Sequence, residues 1–173
     1  RLTELPGSKT PFVPYGPLWP RRTLRCGLWW LTREIELSNA VVGDIIRPEP
    51  DSVRWNLPAS KSDPKALGMA RTHKCACGGL ANSIAVVDID MCPACNLWSQ
   101  MLDGRTFATH VQTHHEYFDE GSELSRGEHF PLFPTAKRRF PTKFRMIGTI
   151  ASAATKLNLE INLGNKQLSL IPL

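Results

Sequence analysis

The chain has 173 residues, 42% hydrophobic and 21% charged, and its 21 Lys and Arg against 16 Asp and Glu give a net charge of +5. That is one domain's worth of chain with enough apolar material for a single core, which excludes a peptide, a multidomain machine and wholesale disorder. The longest uncharged stretch, Cys75 to Val87, is thirteen residues with two Cys and two Gly, too short and too polar for a membrane helix. The basic excess favours a polyanionic partner without naming one.

Five of the fourteen prolines lie in the first twenty residues, and Pro11, Pro14, Pro17 and Pro20 recur at every third position, which predicts an extended, polyproline-like arm or linker over residues 1–20. Leu24, Leu28, Leu31 and Ile35 follow at steps of four, three and four. This spacing predicts one helix from about Thr23 to Ser38, with Gly43 and Asp44 closing the unit. Arg33 then falls away from the apolar stripe, beside Trp29, Trp30 and Glu36, where spacing alone reads as an exposed ion pair. Val53, Trp55 and Leu57 alternate with Arg54 and Asn56 as in a half-buried strand, and the turn chemistry of Pro58 to Pro64 makes it half of a small hairpin.

Further along, Asn96 to Leu102 can open a helix, and Phe107, Val111, His114 and Phe118 share a helical face before the polar loop 119–128. Three prolines make 130–141 irregular. Thr142 is placed to cap a last helix whose buried face is Ile147, Ile150, Ala151, Ala154 and Leu157. The expected class is α+β and mainly helical, with helices around a small antiparallel hairpin or sheet.

Five cysteines are an odd number, and Cys26 stands alone in an apolar stretch. The other four form Cys75-x-Cys77 and Cys92-x-x-Cys95, two short pairs separated by fourteen residues, a pattern that suits a tetrahedral Zn²⁺ better than a secreted disulfide framework. A closed four-thiolate site leaves no open coordination position, so the zinc would be a structural staple for the segment from about 70 to 100. His73 could replace one thiolate, and His110 and His114 lie one helical turn apart. The rival reading is thiol redox chemistry: residues 85–89 read as a strand, and Cys92 and Cys95 open a helix whose N-terminus lowers a thiol pKa.

Arg33-Glu34-Ile35-Glu36-Leu37, followed seven residues after Leu37 by Asp44-Ile45, resembles the first arginine box of the tyrosine recombinase (phage-integrase) family. The resemblance implies a catalytic domain over 21–163, with 164–173 an atypical tail and DNA as the partner. It implies that Arg33 clamps the scissile phosphate, that Glu36 orients rather than reacts, and that Lys61, in the turn after the predicted strand, is the hairpin lysine assisting the leaving 5′ oxygen. Lys61 also reads as an ordinary solvated turn residue. Some eukaryotic mobile-element recombinases look similar in carrying a cysteine-rich segment after the hairpin. The family's His-x-x-Arg box occurs nowhere in this chain, and the only tyrosines, Tyr15 and Tyr117, precede the nucleophile's place. The resemblance therefore implies a C-terminally truncated member, inactive in strand cleavage by itself, with an intracellular, nuclear location. Lys137, Arg138, Arg139, Lys143 and Arg145 put five cations in nine residues as a phosphate-tracking strip. Two other functions fit the same residues: a non-catalytic zinc-stapled nucleic-acid-binding module, and a thiol oxidoreductase using Cys92 and Cys95.

Overall fold

The computed structural model describes residues 2–57, 68–78, 80, 92–113 and 129–159. Among them are four α-helices, α1 (Pro20–Trp29), α2 (Glu34–Asn39), α3 (Pro93–Thr113) and α4 (Lys143–Lys156), and three strands, β1 (Ile45–Ile46), β2 (Ser52–Leu57) and β3 (Met69–Lys74). The expected α+β class holds. The strands form one antiparallel sheet in the order β1-β2-β3, with Ile45 opposite Trp55 and Val53 opposite His73. β2 is the predicted alternating strand: Val53, Trp55 and Leu57 are buried while Arg54 and Asn56 face solvent. The turn that would carry Lys61 lies outside the described residues, as do the proposed strand 85–89, His114 and Phe118.

The helix predicted over Thr23 to Ser38 is two helices. α1 ends in a left-handed residue, Leu31 (φ 50°), with Thr32 N–H donating to Gly27 O at 3.0 Å and Leu31 N–H to Leu28 O at 3.4 Å, the hydrogen-bond pair of a Schellman C-cap. The leucine stripe is not the buried one: Leu28, Leu31 and Ile35 are exposed, and the core takes Cys26, Trp30 and Leu37 instead. Those three also fall at helical steps, and the indole's larger apolar area together with the thiol's preference for the interior decides between the two faces.

α3 packs along α1 and against all three strands, and α2 packs on α4. The main core joins Cys26, Trp30 and Leu37 to Val53, Trp55, Leu97, Met101, Leu132, Phe133 and Met146. A satellite core of Leu5, Leu24, Ala153 and Leu157 seats the proline-rich arm on α1 and α4. Thr142 caps α4 as predicted, its hydroxyl accepting Arg145 N–H at 3.3 Å. The buried face of that helix is Met146, Thr149, Ala153, Ala154 and Leu157, rotated by about one residue from the expected one because Met146 enters the main core.

Residues 130–141 contain no helix or strand, as the prolines dictate, yet 130–135 are buried. Their backbone is paired with other segments: Val42 N–H donates to Phe130 O at 2.9 Å, Leu132 N–H to Ala40 O at 2.8 Å, and Leu18 N–H to Pro134 O at 2.8 Å. Gln100 Nε2, buried on α3, donates to Leu132 O at 2.7 Å. No described helix is long and apolar enough to cross a membrane.

Candidate metal centre and nucleic-acid interface

β3 delivers Cys75 at its end, where Cys75 N–H donates to Asp51 O at 2.6 Å, and Cys77 follows before Gly78 turns the chain at φ 71°. Cys92 precedes α3, whose first residue is the helix-compatible Pro93, and Cys95 lies in its first turn. The four sulfurs all lie within 4.8 Å of one another. Cys75 Sγ is 3.5 Å from Cys77 Sγ, 3.4 Å from Cys95 Sγ and 3.9 Å from Cys92 Sγ, and Cys77 and Cys95 are 3.3 Å apart. None is a disulfide. Metal–sulfur bonds of ~2.3 Å in a tetrahedron set sulfur–sulfur edges of ~3.8 Å, so one ion fits among these thiols with small adjustments.

The thiols' electrostatics suit a cation. Burial alone would raise Cys75, but the Leu80 N–H, the Cys95 and Cys77 thiols and the Cys77 N–H together bring it down to about 6. Cys95 is driven strongly upward by burial and by its thiol neighbours. One sulfur thus ionises readily while the next resists for want of a countercharge, the imbalance a bound divalent ion removes. His73, the possible substitute ligand, instead sets its ring edge-on to Trp30 at 4.5 Å. Cys26 is a core thiol: it donates to Asn96 Oδ1 at 3.1 Å, and burial pushes it up to about 12 against the opposing pull of Arg22 and Arg25.

Arg33 is not on a helix face. It is the extended N-cap of α2 (φ −83°, ψ 160°) and is exposed. Its N–H donates to Glu36 Oε2 at 2.7 Å, half of a capping box, so Glu36 fixes the backbone of Arg33 rather than its guanidinium. Among the described residues no salt bridge or side-chain hydrogen bond engages that guanidinium. In the next residue Glu34 pairs with Lys143 Nζ at 3.2 Å, which joins the first residue of α2 to the first of α4. Asp44, of the Asp-Ile pair, accepts Val41 N–H at 3.0 Å and shapes the entry to β1.

The basic segment is a structured turn. Thr135 N–H donates to Arg139 O at 2.9 Å, Arg138 N–H to Thr135 O at 2.8 Å, and Arg138 is left-handed at φ 62°. The pattern is a tight turn with a bulge at Arg138, and it carries Lys137, Arg138 and Arg139 at its tip. Phe144, 78% exposed, lies between Lys143 and Arg145 on α4. Sequence reasoning missed Tyr15. Its ring centroid is 5.4 Å from Lys137 Nζ and 5.7 Å from Arg145 Cζ, and the local signal was Val13-Pro14-Tyr15-Gly16, a proline-glycine turn that displays whatever sits between them. Compared with known proteins, the chain matches no family model, no curated protein and no solved structure.

Proposed function

We propose that the chain is a DNA-binding fragment of tyrosine recombinase type, stapled by a structural Zn²⁺ and competent in phosphate binding rather than strand cleavage. The observation that carries this reading is the Glu34–Lys143 pair at 3.2 Å, which sets the start of α2, with the exposed Arg33, beside the start of α4, with Lys143 and Arg145, the helix that the turn of Lys137, Arg138 and Arg139 leads into. Cations gathered on neighbouring segments suit a phosphodiester backbone, and Arg33's planar fork suits two phosphate oxygens. In the complete family such an arginine stabilises the pentacoordinate phosphate. With no His-x-x-Arg box in the chain, this role reduces to binding. The same reading carries an intracellular, nuclear location.

Zinc is the proposed metal because four thiolates in tetrahedral spacing form a closed site for a borderline-soft, redox-inert ion. The thiol oxidoreductase reading loses support: the Cys92 and Cys95 sulfurs are buried against Cys75 and Cys77, which a two-cysteine mechanism leaves without a role.

The deciding experiment is fluorescence anisotropy on a labelled duplex, comparing wild type with Arg33→Ala and with Arg54→Ala, an exposed arginine on β2. The expected result is a loss of about tenfold or more for Arg33→Ala, as the ~1.5–3 kcal/mol of a charge-assisted hydrogen bond implies, and little change for Arg54→Ala. Equal losses in the two variants, or no duplex binding by wild type at low salt, would overturn the reading.

A further inference from the structure

Tyr15 occupies a position at which a tyrosine is strained. Gly16 N–H donates to Val13 O at 3.0 Å, so residues 13–16 form a β-turn with Pro14 second and Tyr15 third, at φ 58°. A turn with Pro second and positive φ third takes glycine there at no steric cost and a side chain only at some expense. The strain is not relieved by burial, since the residue is 60% exposed.

The turn is also held rigidly. An added Cβ on Gly16 would meet Val13 Cγ2 at 2.9 Å and Thr149 Oγ1 at 3.1 Å, so the turn is pressed onto α4. Immediately after it, Pro17 bridges Thr135 and Leu18 N–H bonds Pro134 O, which sews the arm to the root of the basic turn. An exposed aromatic ring, fixed on a strained turn between Lys137 and Arg145, is a surface made for a ligand with both a flat face and negative charge.

We propose that Tyr15, Lys137 and Arg145 form a nucleotide-binding unit: an unpaired base stacks on the tyrosine ring while the flanking phosphates lie on the two cations. This rests on the nucleic-acid reading above and narrows its partner to single-stranded or locally unpaired DNA, because the bases of an intact duplex are stacked on one another and offer the ring no face. Both cations rest over the ring before the strand arrives and pass from its face to the phosphates as the base stacks.

The test measures binding of the full chain to three labelled probes at one salt concentration: a twelve-nucleotide oligo-dT, an abasic strand of the same length, and a twelve-base-pair duplex. Tyr15→Gly is the decisive variant, because it relieves the turn. It should melt at a higher temperature than wild type and yet bind oligo-dT at least about fivefold more weakly, with abasic-strand and duplex binding unchanged. Tyr15→Phe should bind oligo-dT like wild type, since the ring and not the hydroxyl stacks. Equal binding of oligo-dT by wild type and Tyr15→Gly, or equal losses on oligo-dT and the abasic strand, overturns the stacking unit alone. Failure of wild type to bind any of the three probes overturns the nucleic-acid reading beneath it.

Discussion

Chelation should be the most damaging mild perturbation of this fold if, as proposed, the four-cysteine cluster holds a metal. A metal held by Cys75, Cys77, Cys92 and Cys95 cross-links the end of β3 to the start of α3 and closes a loop of about fifteen residues between Cys77 and Cys92. Treated as a chain-entropy constraint on the unfolded state, a loop of about that length contributes ~3 kcal/mol. At ~2–4 °C per kcal/mol for a chain of this size, chelation should lower the melting temperature by roughly 6 to 12 °C. Cys95→Ser should cost at least as much, because it removes a ligand and also puts a hydroxyl into the core. Cys77→Ser, at the exposed corner of the site, should cost less. The assay is thermal unfolding by circular dichroism with and without chelator under reducing conditions, alongside metal analysis of the purified chain. A chain that holds no metal, or one that melts within about 1 °C in the two conditions, would refute the staple and leave four clustered thiols without a function.

Glu36→Ala should remove the carboxylate that accepts Arg33 N–H and lower stability by about 0.5–1 kcal/mol, readable in urea unfolding; an unchanged midpoint would refute the cap. Replacing Lys137 and Arg139 together by Ala should flatten the plot of log K against log salt for duplex binding by about 1.8, if each meets one phosphate at ~0.9 per contact. Lys143→Ala should change the slope less, because that charge is already paired with Glu34. Burial raises the Asp44 carboxyl above its ordinary 3.8, with the Val41 N–H and His129 opposing, so the folded state holds this proton the more tightly. This contribution to stability is full below pH 3.8 and is lost as pH rises through the elevated folded value, so the ionised group is a cost at pH 7. Asp44→Asn keeps an acceptor for Val41 N–H and should be at least as stable as wild type at pH 7, with the difference closing below pH 3.8; a less stable variant at pH 7 would refute the sign.

What the sequence reveals here depends on how local the signal is. The alternation of Val53, Trp55 and Leu57 exposes β2, and Thr142 exposes the start of α4, because in each case a side chain's neighbours along the chain decide its surroundings. The cysteine spacing likewise announces the four-thiol cluster, since short pairs bring their sulfurs together at the ends of two neighbouring elements. The break between α1 and α2 is not legible in the same way. Two apolar stripes compete on residues 24–37, and the sheet and α3 take the one that carries the Trp30 indole and the Cys26 thiol. The burial of 130–135 is also non-local: a proline-rich stretch reads as surface loop until its partners at residues 18, 40, 42 and 100 are known. Tyr15 escaped notice because the residues that give it meaning, Lys137 and Arg145, are more than a hundred positions away.

Trp30 ties the metal centre to the arginine. Its Nε1–H donates to Pro93 O at 3.4 Å, between the ligands Cys92 and Cys95, and its ring takes the edge of His73, two residues before Cys75. The guanidinium of Arg71, also on β3, holds the Trp30 carbonyl. The elements that the four cysteines join, and that a metal there would pin together, are therefore the bed on which Trp30 lies, and Trp30 begins the short turn that ends at Arg33. The basic turn is supported differently, through residues 130–135 on Gln100 and through the arm at Pro17 and Leu18. Chelation short of unfolding should consequently bring duplex affinity down to that of Arg33→Ala while leaving the salt slope within about 0.9, one phosphate contact, of its starting value. A loss of slope in step with affinity would instead place the metal's influence on the whole cationic edge and would refute the route through Trp30.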